Sequence, residues 1–200
     1  MGLALRSGAD VPETDFDQHL PSRYRWASET HWTPLAACRK AAEWLAPTRD
    51  AHVLDIGSGV GKLCVAASLI SGARFTGVEQ RPHLVEVAEE LARRLDADGA
   101  HFICADAFTL EWREYGSLYF YNPFVEALFP EALRIDATVE HTEAQHDTAV
   151  ALLGEKLTGM AAGTRVVIYH GLGCELPASY RRAQSEWVVH STMELWIKEG

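Results

Sequence analysis

The residues best suited to chemistry are Leu54-Asp55-Ile56-Gly57-Ser58-Gly59-Val60-Gly61-Lys62. Three glycines in five positions let a backbone turn sharply and approach a ligand where any side chain would clash. Spacing separates the loops this could be. A phosphate-cradling P-loop needs a glycine five places before its Gly-Lys and a Ser or Thr after it. Here those places hold Ile56 and Leu63. A dinucleotide fingerprint needs GxGxxG or GxGxxA, and the last position is Lys62, with Gly61 one place early. What remains is an acidic residue followed by GxGxG. A tight structural turn is the plainer alternative.

Carboxylates recur downstream at matching places. Glu79 lies roughly 20 residues past the loop, where an acidic side chain can accept both hydroxyls of a ribose. Asp106, followed by the small Ala107, is able to accept from an exocyclic amine while leaving room for a flat ring. Taken singly, Glu79 also reads as a solvated residue before a helix, and Asp106 as a turn cap. Asn122-Pro123-Phe124 closes another apolar run. The Asn122 amide oxygen and the Pro123 carbonyl can accept from an amine, and the Phe124 ring can face a cation. Asn-Pro is equally a turn signal.

The elements that must position these groups alternate. Short apolar runs at 52–56, 73–78, 101–105, 117–121 and 165–169 read as strands. Periodic stretches at 60–71, 82–95 and 142–160 read as helices, the second with Leu84, Val87, Ala88, Leu91 and Leu95 on one face. Strands alternating with helices imply an α/β fold with a parallel sheet covered on both faces. Trp187–Val189 and Glu194–Lys198 read as a closing antiparallel pair. Upstream, Thr33-Pro34 reads as a helix start with Thr33 as N-cap. Residues 1–22 are polar and aperiodic, and are expected to form a loosely packed arm. The expected division is an N-terminal arm and cap helix over 1–50, then a ligand-binding domain over 51–200.

Composition narrows the partners. The 200 residues carry a net charge of -10, which disfavours binding nucleic acid across the whole surface. The four cysteines include no CxxC pair, so neither a zinc ribbon nor a thioredoxin-like motif is expected, and no metal site is expected. Cys64 and Cys104, inside apolar runs, read as buried thiols. No secretory leader and no membrane-length apolar run is evident, so a cytoplasmic protein is expected.

Residues 53–124 resemble the core of class I S-adenosylmethionine-dependent methyltransferases. The first family motif is matched by Asp55-Ile56-Gly57-Ser58-Gly59-Val60-Gly61, the ribose-binding acid by Glu79, and the adenine-side acid by Asp106. The resemblance implies a Rossmann-like, mostly parallel seven-stranded sheet and bound S-adenosylmethionine. It assigns Thr33, Asp55, Gly57, Ser58, Gly59, Gly61, Glu79, Gln80, Asp106, Ala107 and Asn122 to the cofactor, with the segment around Thr33 folding over it. Asn122, Pro123 and Phe124 would be catalytic, similar to the Asn/Asp-Pro-Pro-aromatic motifs of enzymes that methylate nitrogen, although this chain has one proline where they have two. The implied acceptor is a nitrogen of a small molecule or protein side chain. Oxygen or carbon methylation, or cofactor binding without catalysis, are the alternatives. The missing GxGxxG and the lack of a Tyr-x-x-x-Lys pair argue against a nicotinamide oxidoreductase. His170, ending the fifth strand, sits on the correct edge for a general base, but reads more simply as a structural histidine.

Overall fold

The computed structural model describes all residues except 123–125, 127–129, 131–133, 137, 140 and 141. Seven strands form one sheet in the order β3-β2-β1-β4-β5-β7-β6. They are β1 (His52–Ile56), β2 (Arg74–Glu79), β3 (Ala100–Cys104), β4 (Ser117–Tyr121), β5 (Arg165–Tyr169), β6 (Tyr180–Val188) and β7 (Ser191–Lys198). The first five pair in parallel, and β7 joins antiparallel between β5 and β6. Strand order reverses between β1 and β4, which opens a crevice beyond their carboxyl ends.

The pleat explains why the central strands are apolar on both faces. On β4, Tyr119 joins the core on one side of the sheet, while Leu118 and Phe120 join the core on the other. The first core is covered by α4 (Leu35–Leu45), α5 (Lys62–Ser71) and α6 (Pro82–Arg94). The second is covered by α7 (Glu143–Thr158) through Leu153 and Leu157. Small residues let α4 and α5 approach closely: Ala37, Ala41 and Ala42 on one, Ala66 and Ala67 on the other, all buried. α6 shows the expected amphipathic face, with Glu86, Glu89, Glu90 and Arg93 outward.

Several expectations need correction. Thr33 is not the N-cap of α4; Pro34 takes that place, and the Thr33 hydroxyl instead meets the Tyr119 hydroxyl at 3.1 Å. Residues 1–22 are not a loose arm. They form α1 (Gly2–Arg6), α2 (Glu13–Asp17) and the start of α3 (Ser22–Arg25), and bury Leu5, Phe16 and Leu20 completely in the first core. No helical period is visible there because each helix is too short to display one. Cys104 is exposed, since β3 is an edge strand with no neighbour beyond it. The closing strands run longer than expected. β6 is exposed from Arg181 to Trp187, so its polar residues fall on both faces and erase the alternation that marks a strand. A bulge between Arg182 and Gln184 breaks its register.

One ion cluster ties the N-terminal helices to the sheet. Lys62, the first residue of α5, is 1% exposed. Its ammonium bonds to Glu13, to Asp17 at 2.6 Å and to the Ser28 hydroxyl at 2.7 Å. The other Glu13 oxygen accepts from the Leu35 backbone N–H at 2.9 Å, at the start of α4. An ammonium this deeply buried is tolerated only because it is paired and hydrogen-bonded. Lys62→Met is therefore expected to cost about 3 kcal/mol, since it strands two carboxylates around an apolar chain. Urea unfolding checks this, and an unchanged midpoint would contradict it.

Candidate active site

A cavity of about 1060 Å³ opens at the carboxyl ends of the parallel strands. Each strand end contributes to it: Gly57 after β1, Glu79 and Gln80 at β2, Asp106 and Ala107 after β3, Asn122 after β4, and His170 after β5. Gly59 and Trp32 also line it. Thus Gly57, Gly59, Glu79, Gln80, Asp106, Ala107 and Asn122 come together as expected.

Thr33, Asp55, Ser58 and Gly61 lie behind the wall and not in it. Pro123 and Phe124 fall outside the described residues. Asp55 points from β1 toward the first core, where it is 4% exposed and accepts from the Cys64 thiol at 3.4 Å. Burial is the main reason its carboxyl is pushed up to about 7. The Cys64 bond opposes that shift, and the nearby Glu79 charge adds to it. Ser58 packs against Gly77 of β2, in the space a Cβ there would occupy.

The glycine loop is shaped by what packs on it. The Gly57 and Ser58 N–H groups both donate to the Val78 carbonyl, at 2.9 and 3.0 Å. Gly59 has φ +53, and a Cβ on it would collide with the buried Trp32 indole. That indole is held by its own N–H, which donates to the Tyr24 carbonyl at 3.0 Å. Gly61 has φ +75, and a Cβ there would fall 2.6 Å from the Phe102 ring. Two of these glycines are therefore required by neighbours as well as by backbone conformation.

Glu79 is 5% exposed yet faces the cavity. One carboxylate oxygen accepts from Gly59 N–H at 3.2 Å, and the other from Arg81 N–H at 3.0 Å. An ionised carboxylate has about four acceptor positions, so capacity remains for two further donors. The Arg81 guanidinium lies 3.5 Å from Glu79, 2.8 Å from Glu126 and 3.4 Å from Asp136. Burial pushes the Asp136 carboxyl up, but bonds from Thr138, the Arg81 charge and the His83 bond together hold it below the usual range. Asp106 caps the turn at 107–109, accepting from Phe108 N–H at 2.9 Å, and also borders the cavity.

Sequence patterns did not point to Arg81, Tyr121 or His190, whereas Trp32 lies in the segment expected to fold over the cofactor. Arg81 had one available signal, its place two residues past Glu79. Tyr121 and His190 line the cavity through tertiary packing, which leaves no spacing to detect.

The order β3-β2-β1-β4-β5-β7-β6, with only β7 antiparallel to its parallel neighbours, accords with what known proteins show. Residues 47–120 match a family model described as a methyltransferase domain. The chain has the class I methyltransferase fold. An RNA methyltransferase from Salinibacter ruber, in complex with S-adenosyl-L-homocysteine, superposes at TM-score 0.59 with 20% identity over 84% of this chain and 93% of its own. A mutant of MtNAS in complex with S-adenosylmethionine gives TM-score 0.60 at 16% identity, covering 100% of this chain and 74% of its own. In sequence, the O-methyltransferase cnsE of Penicillium expansum is 31% identical over 131 residues, which is 65% of this chain and 41% of its own length. The chain spans less than half the length of the curated relatives it matches. Among the described residues, no helix of this methyltransferase fold is long and apolar enough to cross a membrane, and no group of three metal-ligating side chains occurs.

The raised pKa of Asp55 has a consequence for stability. Folded Asp55 holds its proton up to about pH 7, whereas an unfolded aspartate loses it near 3.8. Its contribution is fully present below about pH 4 and drains away as pH rises toward 7. Asp55→Asn cannot ionise, so wild-type stability relative to this variant should decline from pH 4 to pH 7 and level off above. Chemical unfolding across that range checks the sign, and parallel pH profiles would contradict it.

Proposed function

We propose that this chain is an S-adenosylmethionine-dependent methyltransferase acting on a nitrogen of a small molecule or protein side chain. The observation that carries the reading is that Gly57, Glu79, Asp106 and Asn122 border one cavity. Its volume, about 1060 Å³, is at the upper end of small-molecule sites and leaves room for a cofactor and a modest acceptor. The residues also fit the cofactor chemically. Gly57 and Gly59 present bare backbone to the cavity, and the spare acceptor positions on Glu79 suit a pair of ribose hydroxyls. The Asp106 oxygen not used by Phe108 suits an adenine amine, with Ala107 and Phe108 beside the ring.

Bound S-adenosylmethionine would supply a methyl group already activated by positive sulfur, so the protein's task is placement and desolvation. Trp32 covers the loop and excludes water from it. Asn122 presents an amide at the end of β4 with φ +42, a backbone conformation unusual for a non-glycine residue. Asn122 is thereby offered to the acceptor, with Pro123 and Phe124 assigned the neighbouring roles. Thr33, Asp55, Ser58 and Gly61 act from behind, by fixing the backbone that carries the lining groups. Oxygen is the second acceptor atom, favoured by the likeness to the O-methyltransferase cnsE.

Thermal unfolding with S-adenosylmethionine or S-adenosylhomocysteine at about 100 times the dissociation constant should add roughly 2.7 kcal/mol, while NAD and ATP should add nothing. Glu79→Ala should weaken that binding about tenfold or more. Asn122→Ala should retain it and lose turnover in a screen of amine-bearing metabolites with labelled donor. Equal stabilisation by NAD would remove the methyltransferase reading.

A further inference from the structure

We propose that His170 is the proton acceptor of the methyl-transfer step, with Ser191 as the residue that sets its tautomer. This inference rests on the methyltransferase reading and adds the base which that reading lacks. Tyr121 of β4 pairs with Tyr169 of β5, so the residues that follow them, Asn122 and His170, leave the sheet side by side. Both line the cavity, and both take left-handed backbone conformations, φ +42 and +64. Such conformations are uncommon for non-glycine residues and concentrate at functional sites. Here they occur at two adjacent strand ends.

The imidazole is held in place. The backbone N–H of His170 donates to the Thr192 carbonyl at 3.2 Å, which fixes the residue, and on the ring Nδ1 lies 2.9 Å from the Ser191 hydroxyl oxygen. Ser191 is buried at the start of β7. With the Nδ1 proton donated to Ser191, Nε2 carries the lone pair and is left for the cavity. The Tyr121 ring stands edge-on to the imidazole, 6.3 Å between centroids. The titratable neighbours around the same end are Tyr121, Tyr169, His190 and, on α7, His146 with Asp147 at 3.7 Å from it. Tyr121 and Tyr169 are raised above the ordinary phenol range, chiefly by burial, so they stay neutral and do not compete for the proton.

The step balances without another reactant. The acceptor's lone pair forms the new bond to the methyl carbon, and the carbon–sulfur electron pair leaves with sulfur. The acceptor's N–H or O–H proton passes to Nε2. His170 is exposed, so the imidazolium can return its proton to solvent before the next turnover.

The test needs no knowledge of the acceptor. The His170 titration is followed by NMR in the full chain saturated with S-adenosylmethionine, then with S-adenosylhomocysteine, and assigned by its loss in His170→Gln. The first ligand carries a positive sulfur and the second does not. A histidine facing the transferred methyl should titrate about one pH unit lower with the first. Nitrogen shifts should show the neutral ring protonated at Nδ1, and Ser191→Ala should move that proton to Nε2. Equal titration in two saturated complexes, or a wild-type ring protonated at Nε2, would overturn the assignment while leaving the cofactor reading intact. Failure of both ligands to bind would instead overturn the methyltransferase reading and this proposal with it.

Discussion

The Glu79 carboxylate is the point on which the cleft depends. Its two oxygens bridge the Gly59 and Arg81 N–H groups, joining the glycine loop to the turn that starts α6. Without that bridge, the two backbone segments flanking the cavity would be linked at this point only through the sheet beneath. A buried carboxylate with two backbone donors is well satisfied, yet it keeps acceptor capacity on the open side. Structural and ligand-binding demands therefore fall on one side chain. Arg81 extends the same logic, since its guanidinium connects Glu79 to Glu126 and Asp136 further along the chain.

A second constraint works from outside the sheet. The Lys62 ammonium, sealed under Glu13, Asp17 and Ser28, fixes the N-terminal helices on the start of α5. The same helices carry the Tyr24 carbonyl that anchors the Trp32 indole, and Trp32 in turn requires Gly59 to lack a side chain. The loop's shape thus descends from contacts made by residues far from it in sequence. This is a hierarchy of packing and charge, with the sheet providing only the frame.

That hierarchy explains what was legible in the sequence. β1, β4 and β5 were readable to the residue, because buried parallel strands are continuous apolar runs between glycine and proline signals. The loop, Glu79 and Asp106 were readable because each sits at a strand end, where sequence position converts directly into place. Thr33 and Asp55 were assigned to the ligand by motif alone, and their side chains instead serve the core, Thr33 through Tyr119 and Asp55 through Cys64. β6 was nearly invisible because an edge strand exposed on both faces has no alternation to show. The packing of residues 1–22 was illegible for a related reason: its buried residues are too sparse to show a period, Leu5 and Phe16 each lying in a five-residue helix and Leu20 in the connection before α3.

The docking of α1 onto α5 also bears on how the chain is made. Synthesis runs from the N-terminus, so Leu5, Phe16 and Leu20 leave the ribosome well before most of the core they join. Until α5 follows, these groups and the carboxylates of Glu13 and Asp17 have neither their apolar neighbours nor their ammonium partner. This stretch must therefore wait, unburied, for a later part to arrive, an interval in which chaperones or misassociation have their opportunity.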